Sequence, residues 1–355
     1  MTRLSRTIRR PTVDPSTPLD TPISSKSTHI LFDGRLVYRK RIVLLTSGCR
    51  VQTCSMCPFP NEALPGVTGQ HLIKQFDASF ERDDISQYEM VTLFCNGNFF
   101  NDQEIPAEVR SHMFRRCRDA GVKYVTVESL PQFITPARVA QAKEDLGEAV
   151  MTVFIGFQSS NDIIRNVAVN TTCTREAFEA AHRLLDSYGY HVASFLMVKP
   201  PFVTEAEAVD DVVSSVEYLA SIGVKYATLC PMRVAPLTVA ERMYQRGLYR
   251  PAKIWSTVDA LRRTHWIEGV TVMVNTTELK SEMNTDSVCV DECPHCTPVI
   301  IDAIERYLFT RDWATLFEFD TGCGCCAEYF SLLVSDVDPR PLEQRVIDYI
   351  ELENA

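Results

Sequence analysis

The chain has 355 residues, of which 45% are hydrophobic and 23% charged, which excludes a disordered or fibrous protein and leaves room for one large α/β barrel or two domains. Its formal net charge of −10 removes the global positive field that drives non-specific phosphate binding, so nucleic acid is disfavoured and a small-molecule substrate preferred. No run approaches the ~18 apolar residues of a membrane helix, and the N-terminus lacks the apolar core of a secretory signal, so the expected location is cytoplasmic, with no membrane partner.

Residues 1–27 read as a flexible N-terminal arm, with Arg3, Arg6, Arg9 and Arg10 near its start and little apolar periodicity. A transit peptide is the rival reading, countered by Asp14 and Asp20 and by the lack of an amphipathic pattern. From residue 28 to 275, short β-type runs alternate with amphipathic helical stretches, the pattern of repeated βα units on a parallel sheet. Strands are expected at Ile42–Thr46, Met90–Cys95, Tyr124–Glu128, Met151–Phe157, His191–Val198 and Tyr226–Pro231, with a seventh candidate at Val270–Asn275. Helices are expected at Ala107–Ala120, Pro136–Leu146, Thr174–Tyr188, Glu205–Ile222 and Ala252–Thr264, several opened by Thr or Pro and closed near Gly. Six such units make a partial (β/α)6 TIM-like barrel with an open side; a flat doubly wound sheet is the structural rival. Residues 276–355 form a cysteine-rich C-terminal module with helices near Pro298–Phe309 and Asp312–Phe319.

The thirteen cysteines are uneven in distribution. Clustered thiols in a reducing compartment are metal ligands or redox centres more often than disulfides. Cys95, Cys117, Cys173 and Cys230 are isolated and read as small core hydrophobes. Cys49, Cys54 and Cys57 follow the first predicted strand with the spacing C-x4-C-x2-C. Three thiolates on one loop can hold three irons of a cubane and leave the fourth open to a ligand. A plant-type ferredoxin shares this spacing but needs a fourth cysteine in a compact domain, and structural zinc needs a fourth ligand; neither follows locally.

This loop, placed after the first strand of a partial barrel, resembles that of the radical S-adenosylmethionine (SAM) superfamily, whose usual spacing is one residue shorter. Similarity runs from Val43 to Leu261 and is closest to the Elp3-like branch that contains the radical SAM subunit of archaeosine synthase. It is carried by Leu93-Phe-Cys-Asn-Gly-Asn-Phe-Phe100, Val127-Glu-Ser-Leu-Pro-Gln-Phe-Ile134, Ile155-Gly-Phe-Gln-Ser-Ser-Asn-Asp162, Val198-Lys-Pro-Pro-Phe-Val-Thr-Glu205 and Tyr249-Arg-Pro-Ala-Lys-Ile-Trp255. The resemblance implies that Asn96, Gly97 and Asn98 meet the amino group of SAM, that Glu128, Gln158 and Ser159 line its ribose, and that Arg165 pairs with its carboxylate. The residue-level alternatives are a turn at Asn96-Gly97, a helix cap for Glu128 and a solvated charge for Arg165. Gln158 stands where relatives tend to carry Glu. No residue is marked as the catalytic acid or base.

The second thiol group is Cys289-x3-Cys293-Pro-His-Cys296 with Gly322-Cys-Gly-Cys-Cys326. Paired thiols joined by a helical spacer are a metal signal, zinc or iron–sulfur. The expected centre is an auxiliary [4Fe–4S] cluster on Cys293, Cys296, Cys323 and Cys325, with Cys289, Cys326 and His295 as rival ligands. The resemblance implies a SAM-binding [4Fe–4S] cluster, SAM, and an electron donor such as flavodoxin or ferredoxin. The sequence reading leans to sulfur insertion into a small, nucleoside-like substrate. The alternatives are an archaeosine-synthase-like lyase acting on a modified tRNA base and a non-catalytic metal carrier.

Overall fold

The computed structural model describes residues 1–279, 290–291 and 293–354. Its centre is an eight-stranded sheet, curled as an open half-barrel, in the order β1 (Ser24–Phe32), β2 (Arg35–Leu44), β3 (Met90–Cys95), β4 (Tyr124–Glu128), β5 (Val150–Gln158), β6 (His191–Val198), β7 (Tyr226–Pro231) and β9 (Thr271–Val274). Strands β2 to β7 and β9 are parallel, and only β1 runs antiparallel, against β2. Two further short strands, β8 (Ala252–Lys253) and β10 (Val290–Asp291), pair with each other. The partial barrel expected from the alternating pattern is therefore present, extended by a seventh parallel strand and by the β1–β2 hairpin.

The helices are α1 (Thr2–Ile8), α2 (Gly69–Ala78), α3 (Ala107–Asp119), α4 (Pro136–Leu146), α5 (Arg175–Ser187), α6 (Glu205–Ser221), α7 (Val239–Gln245), α8 (Ile254–Thr264), α9 (Thr276–Leu279), α10 (Cys296–Thr310), α11 (Cys325–Ser335) and α12 (Leu342–Asn354). Thr68, Thr174, Thr204 and Thr238 cap α2, α5, α6 and α7 by accepting a backbone N–H three residues on. Period-2 alternation sends Val91, Leu93, Val125, Val127, Val153 and Ile155 outward, where they are fully buried against Val109, Met113, Val139, Phe178, Val212 and Val216 of the helices. Each such side chain contributes about 1.5–3 kcal/mol of burial.

The C-terminal segment joins this same core through Ile300, Ile304, Tyr307, Leu316 and Tyr329. The arm expected at residues 1–27 carries α1, whose Ile8 is buried with Val169, Met197 and Met232, and its last residues enter β1. Among the described residues, no helix is long and apolar enough to cross a membrane.

The opposite face of each strand looks into the half-barrel. Phe94, Phe154 and Phe195 meet there with centroids 4.8–6.5 Å apart, beneath the C-terminal strand ends. At the other end Phe32, at the tip of the hairpin, packs on Tyr124 and Tyr226 at 5.0 and 5.7 Å. The interior is thus closed with aromatic rings at the bottom and opens at the strand C-termini, where parallel α/β folds place their chemistry.

Candidate metal and cofactor site

Cys49, Cys54 and Cys57 lie on an irregular loop at the C-terminal end of β2, and Asn96 secures its start. The Asn96 carboxamide accepts from the Thr46 N–H and hydroxyl at 3.0 and 2.6 Å and donates to Glu62 O at 2.7 Å. Burial raises all three thiols, with Cys54 pushed up to about 11, and the three sulfurs raise one another further down the loop. Hydrogen bonds oppose that: the Val51 and Gln52 N–H groups and the Asn98 amide reach Cys49, the last at 3.5 Å, and the Phe59 N–H reaches Cys57. A metal that displaces the thiol protons therefore finds N–H donors already aimed at the sulfurs. The three thiols are near enough for Cys49 to act on Cys54 and for both to act on Cys57. Three neighbouring thiols on one loop, with N–H donors at two of the sulfurs, are a donor set that fits a three-cysteine cluster.

The sequence reading did not single out Glu104. It is buried beside Gly97, and its carboxylate accepts the Asn98 N–H, the Asn98 amide at 3.2 and 3.3 Å, Asn101 Nδ2 at 2.7 Å and the Arg50 N–H at 3.0 Å. A Cβ on Gly97 would sit 2.1 Å from Glu104 Oε2, so glycine is required for this approach. The signal was available: an acid in the loop that follows the Asn-Gly-Asn string at a strand end.

The predicted SAM contacts divide into two sets. Glu128 and Gln158 stand at the ends of β4 and β5 on the interior face, with Gly97 in the loop after β3. Glu128 accepts the Cys95 N–H at 2.8 Å, and desolvation pushes its carboxyl up to about 8. Gln158 has φ 70° and follows a register shift in β5, a strained conformation of the kind held at functional sites.

Asn96, Asn98, Ser159 and Arg165 are engaged within the protein. Arg165, expected to pair with a carboxylate of SAM, is 1% exposed. It donates from Nε to Cys173 O and from Nη1 to Ser159 O, both at 2.9 Å, and from Nη2 to Asp162, while lying over the Phe157 ring at 4.9 Å. A buried guanidinium must be surrounded by acceptors, and here the chain itself supplies them. The Ser159 hydroxyl donates to Asp211 at 2.6 Å, and burial holds that carboxyl up at about 7.

In the C-terminal module the Sγ atoms of Cys293, Cys296, Cys323 and Cys325 all lie within 4.8 Å of one another. These are the four thiols expected to form the second site, and they could hold a second cluster. Cys296 and Cys325 begin α10 and α11; burial pushes the Cys296 thiol up, and the hydrogen bond with Cys293 pushes Cys325 up to about 11. Cys323 is pulled down to about 6, first by the Cys296 thiol, whose sulfur is 2.8 Å away, and then by the Thr321 hydroxyl. Cys326 and His295 are not part of the gathered set, and Cys289 lies outside the described residues. Four thiolates on one ion with bonds of about 2.3 Å stand about 3.8 Å apart. The observed packing is thus near a single-ion shell, and a cubane would have to spread it.

A cavity of about 660 Å³ lies beyond β6, between the ends of α6 and α12, lined by Lys199, Glu205, Tyr249, Arg250, Arg345 and Tyr349 among others. It contains none of the cysteines or predicted SAM contacts, so its size does not make it the reaction site.

No family model matches the chain. An uncharacterised protein of Methanocaldococcus jannaschii is 28% identical over 295 residues, covering 80% of this chain and 79% of the relative. Archaeosine synthase subunit beta of Methanosarcina acetivorans is 25% identical over 321 residues, covering 88% of this chain and 90% of that subunit. This is the branch that the strand-end strings resemble. The chain resembles the radical SAM superfamily in its cysteine loop and strand-end strings. Among solved structures, Elp3 of Methanocaldococcus infernus superposes with a TM-score of 0.45 at 18% identity, covering 57% of this chain and about half, 51%, of Elp3. The resemblance to that superfamily rests on the cysteine loop and the strand-end strings, not on that superposition.

Proposed function

We propose that this radical SAM enzyme works as an archaeosine-synthase-like lyase, breaking a bond in a modified tRNA base. The observation that carries the radical SAM chemistry is the three-thiol loop at the end of the first parallel strand, with N–H donors at the Cys49 and Cys57 sulfurs. The likeness to archaeosine synthase subunit beta along 88% of the chain supports the choice of reaction. When bound, a [4Fe–4S] cluster on Cys49, Cys54 and Cys57 together with SAM supplies reductive cleavage to methionine and a hydrogen-abstracting 5′-deoxyadenosyl radical.

The chain's own residues position and shield. Gly97, Glu128 and Gln158 face the cofactor at the strand ends. Below its raised titration point near 8, Glu128 keeps its proton and can donate a hydrogen bond as well as accept the Cys95 N–H. Phe94, Phe154 and Phe195 keep water from the space beneath. Asn96, Asn98, Ser159 and Arg165 hold the loops in place. With a net charge of −10, the chain would meet RNA through a partner subunit. An external donor of the flavodoxin or ferredoxin class would supply the electron.

A second reading is sulfur insertion into a small, nucleoside-like molecule, favoured by the four gathered C-terminal thiols if they hold a sacrificial cluster. Reduced, anaerobically reconstituted protein incubated with SAM and candidate substrates separates the two. A sulfur-free cleaved product over many turnovers supports the lyase. A product that carries heavy sulfide from the cluster and stops near one turnover refutes it. Absence of 5′-deoxyadenosine with every substrate would refute the radical SAM activity.

A further inference from the structure

The loop that carries Cys49, Cys54 and Cys57 is neither helix nor strand, so each of its carbonyls needs a partner from elsewhere. Four of them find it in the first few residues of the chain. Arg6 Nη2 donates to Val51 O at 3.3 Å, and Arg9 reaches three more: Nε to Gln52 O at 3.3 Å, Nη2 to Cys54 O at 2.9 Å and Nη1 to Cys57 O at 2.8 Å. Thr53 O is taken at 2.7 Å by Asn170 Nδ2, which also holds Thr2 Oγ1 at 3.0 Å. Ser55 O accepts the Val239 and Ala240 N–H groups at the start of α7. Farther along, Thr12 binds Asn61 O through its N–H at 2.8 Å and its hydroxyl at 3.1 Å. Buried Ile8 anchors the segment, with Met56 packed against the same cluster.

Carbonyl oxygens drawn outward to a guanidinium leave the opposite ends of their peptide dipoles facing inward. One peptide shows this directly: Arg6 takes its Val51 carbonyl while its Gln52 N–H points at the Cys49 sulfur, and Arg9 fixes the carbonyls of Cys54 and Cys57 themselves. Hydrogen bonds to sulfur and exclusion of water are the protein's main controls on the potential and durability of an iron–sulfur cluster. Gln52 also sits at φ 57°, a conformation that a non-glycine residue keeps only when its surroundings hold it.

We propose that residues 2–12 form a strap that holds the three-cysteine loop in its ligating shape, with Arg9 as the central positioning residue, so that the N-terminal segment sets the lifetime and potential of the cluster bound there. This rests on the radical SAM reading above. Lysine cannot substitute for Arg9, because one ammonium is a point donor and cannot span three carbonyls.

The test uses the full-length chain, anaerobically reconstituted, as wild type, Arg9→Ala, Arg9→Lys and the surface control Arg263→Ala, whose guanidinium pairs with Asp210 far along the sequence. Iron content, the half-life of the cluster absorbance in air and the midpoint potential are measured without substrate. In Arg9→Ala the half-life should fall roughly tenfold, the equivalent of one charged hydrogen bond, and the potential should become more negative. Arg9→Lys should resemble Arg9→Ala, and Arg263→Ala the wild type. Iron-loaded wild type and Arg9→Ala with the same half-life and potential would overturn the strap while leaving the cluster reading in place. A wild-type-like Arg9→Lys would overturn the three-carbonyl role. Wild-type protein that takes up no iron at all would overturn the cluster reading itself.

Discussion

Replacing Arg165 with alanine distinguishes a ligand-facing guanidinium from a load-carrying one. The substitution leaves the Ser159 carbonyl without its donor, while Cys173 O keeps Asn166 Nδ2 at 2.8 Å, and it removes the cation from the face of Phe157. Each buried unsatisfied carbonyl costs about 1–3 kcal/mol. The ion pair to Asp162 adds little, because Asp162 is 63% exposed and solvent screens it. Together with the void left by the side chain, the expected loss is about 3–5 kcal/mol. For a chain of this size that lowers Tm by about 4–7 °C. Thermal unfolding of the metal-free protein followed by circular dichroism measures it directly, and SAM affinity of the reconstituted variant below its transition should change little. A variant that melts within a degree of wild type but binds SAM an order of magnitude more weakly would refute the argument and turn Arg165 toward the carboxylate.

Gly97→Ala forces a Cβ against Glu104 and should break its bonds to Asn98, costing about 1–3 kcal/mol and reducing iron retention; an unchanged melting curve and iron content would show that the loop accommodates the methyl. Asp211 has a folded titration point raised to about 7, so it favours folding most below its unfolded value near 4, and that favour is lost as pH rises to about 7. Asp211→Asn should therefore gain on the wild type as pH rises through that window, by no more than a few kcal/mol, and a constant Tm difference between pH 4.5 and 8 would contradict this. Reconstituted wild type should hold about eight irons, and Cys49, Cys54 and Cys57 changed together to Ala should remove about half of them. Four irons with stoichiometric zinc would instead make the C-terminal thiols a single-ion site.

The parallel strands were legible because burial on the helix side leaves a strong apolar signature: Met90–Cys95, Tyr124–Glu128, His191–Val198 and Tyr226–Pro231 occur where the pattern puts them. The β1–β2 hairpin was not anticipated, because Ser24–Ile30 is polar and exposed and gives no core stripe. Its turn was nevertheless written in Asp33-Gly34, both at positive φ, which is among the strongest local hairpin signals. The four C-terminal thiols that the fold gathers could be read from spacing alone, whereas the partners of Asn96, Asn98 and Arg165 could not. A short motif shows that a residue stands at a strand end, but which way its side chain turns depends on acceptors supplied from distant segments, such as Glu62, Glu104 and Cys173. The N-terminal arginines are the sharpest case. A run of basic residues without apolar periodicity has the composition of a mobile arm, and only the fold reveals a set of unpaired carbonyls that it meets.

The two thiol groups differ in a way that bears on the reaction. In the N-terminal loop Cys49 and Cys57 receive N–H groups from the backbone, while arginines take carbonyls of the same loop. In the C-terminal module four sulfurs crowd within 4.8 Å at the starts of two helices, so building a cubane there requires the segments bearing Cys293 and Cys323 to part. A sacrificial sulfur donor must be rebuilt after each turnover, and a site that spreads easily would favour repeated rebuilding. A site that stays closed favours a fixed structural centre that ties α10 and α11 to the barrel core through Ile300, Ile304 and Tyr329. The reaction therefore turns on how readily that four-thiol shell opens, and the lyase reading, unlike sulfur insertion, makes no demand that it should.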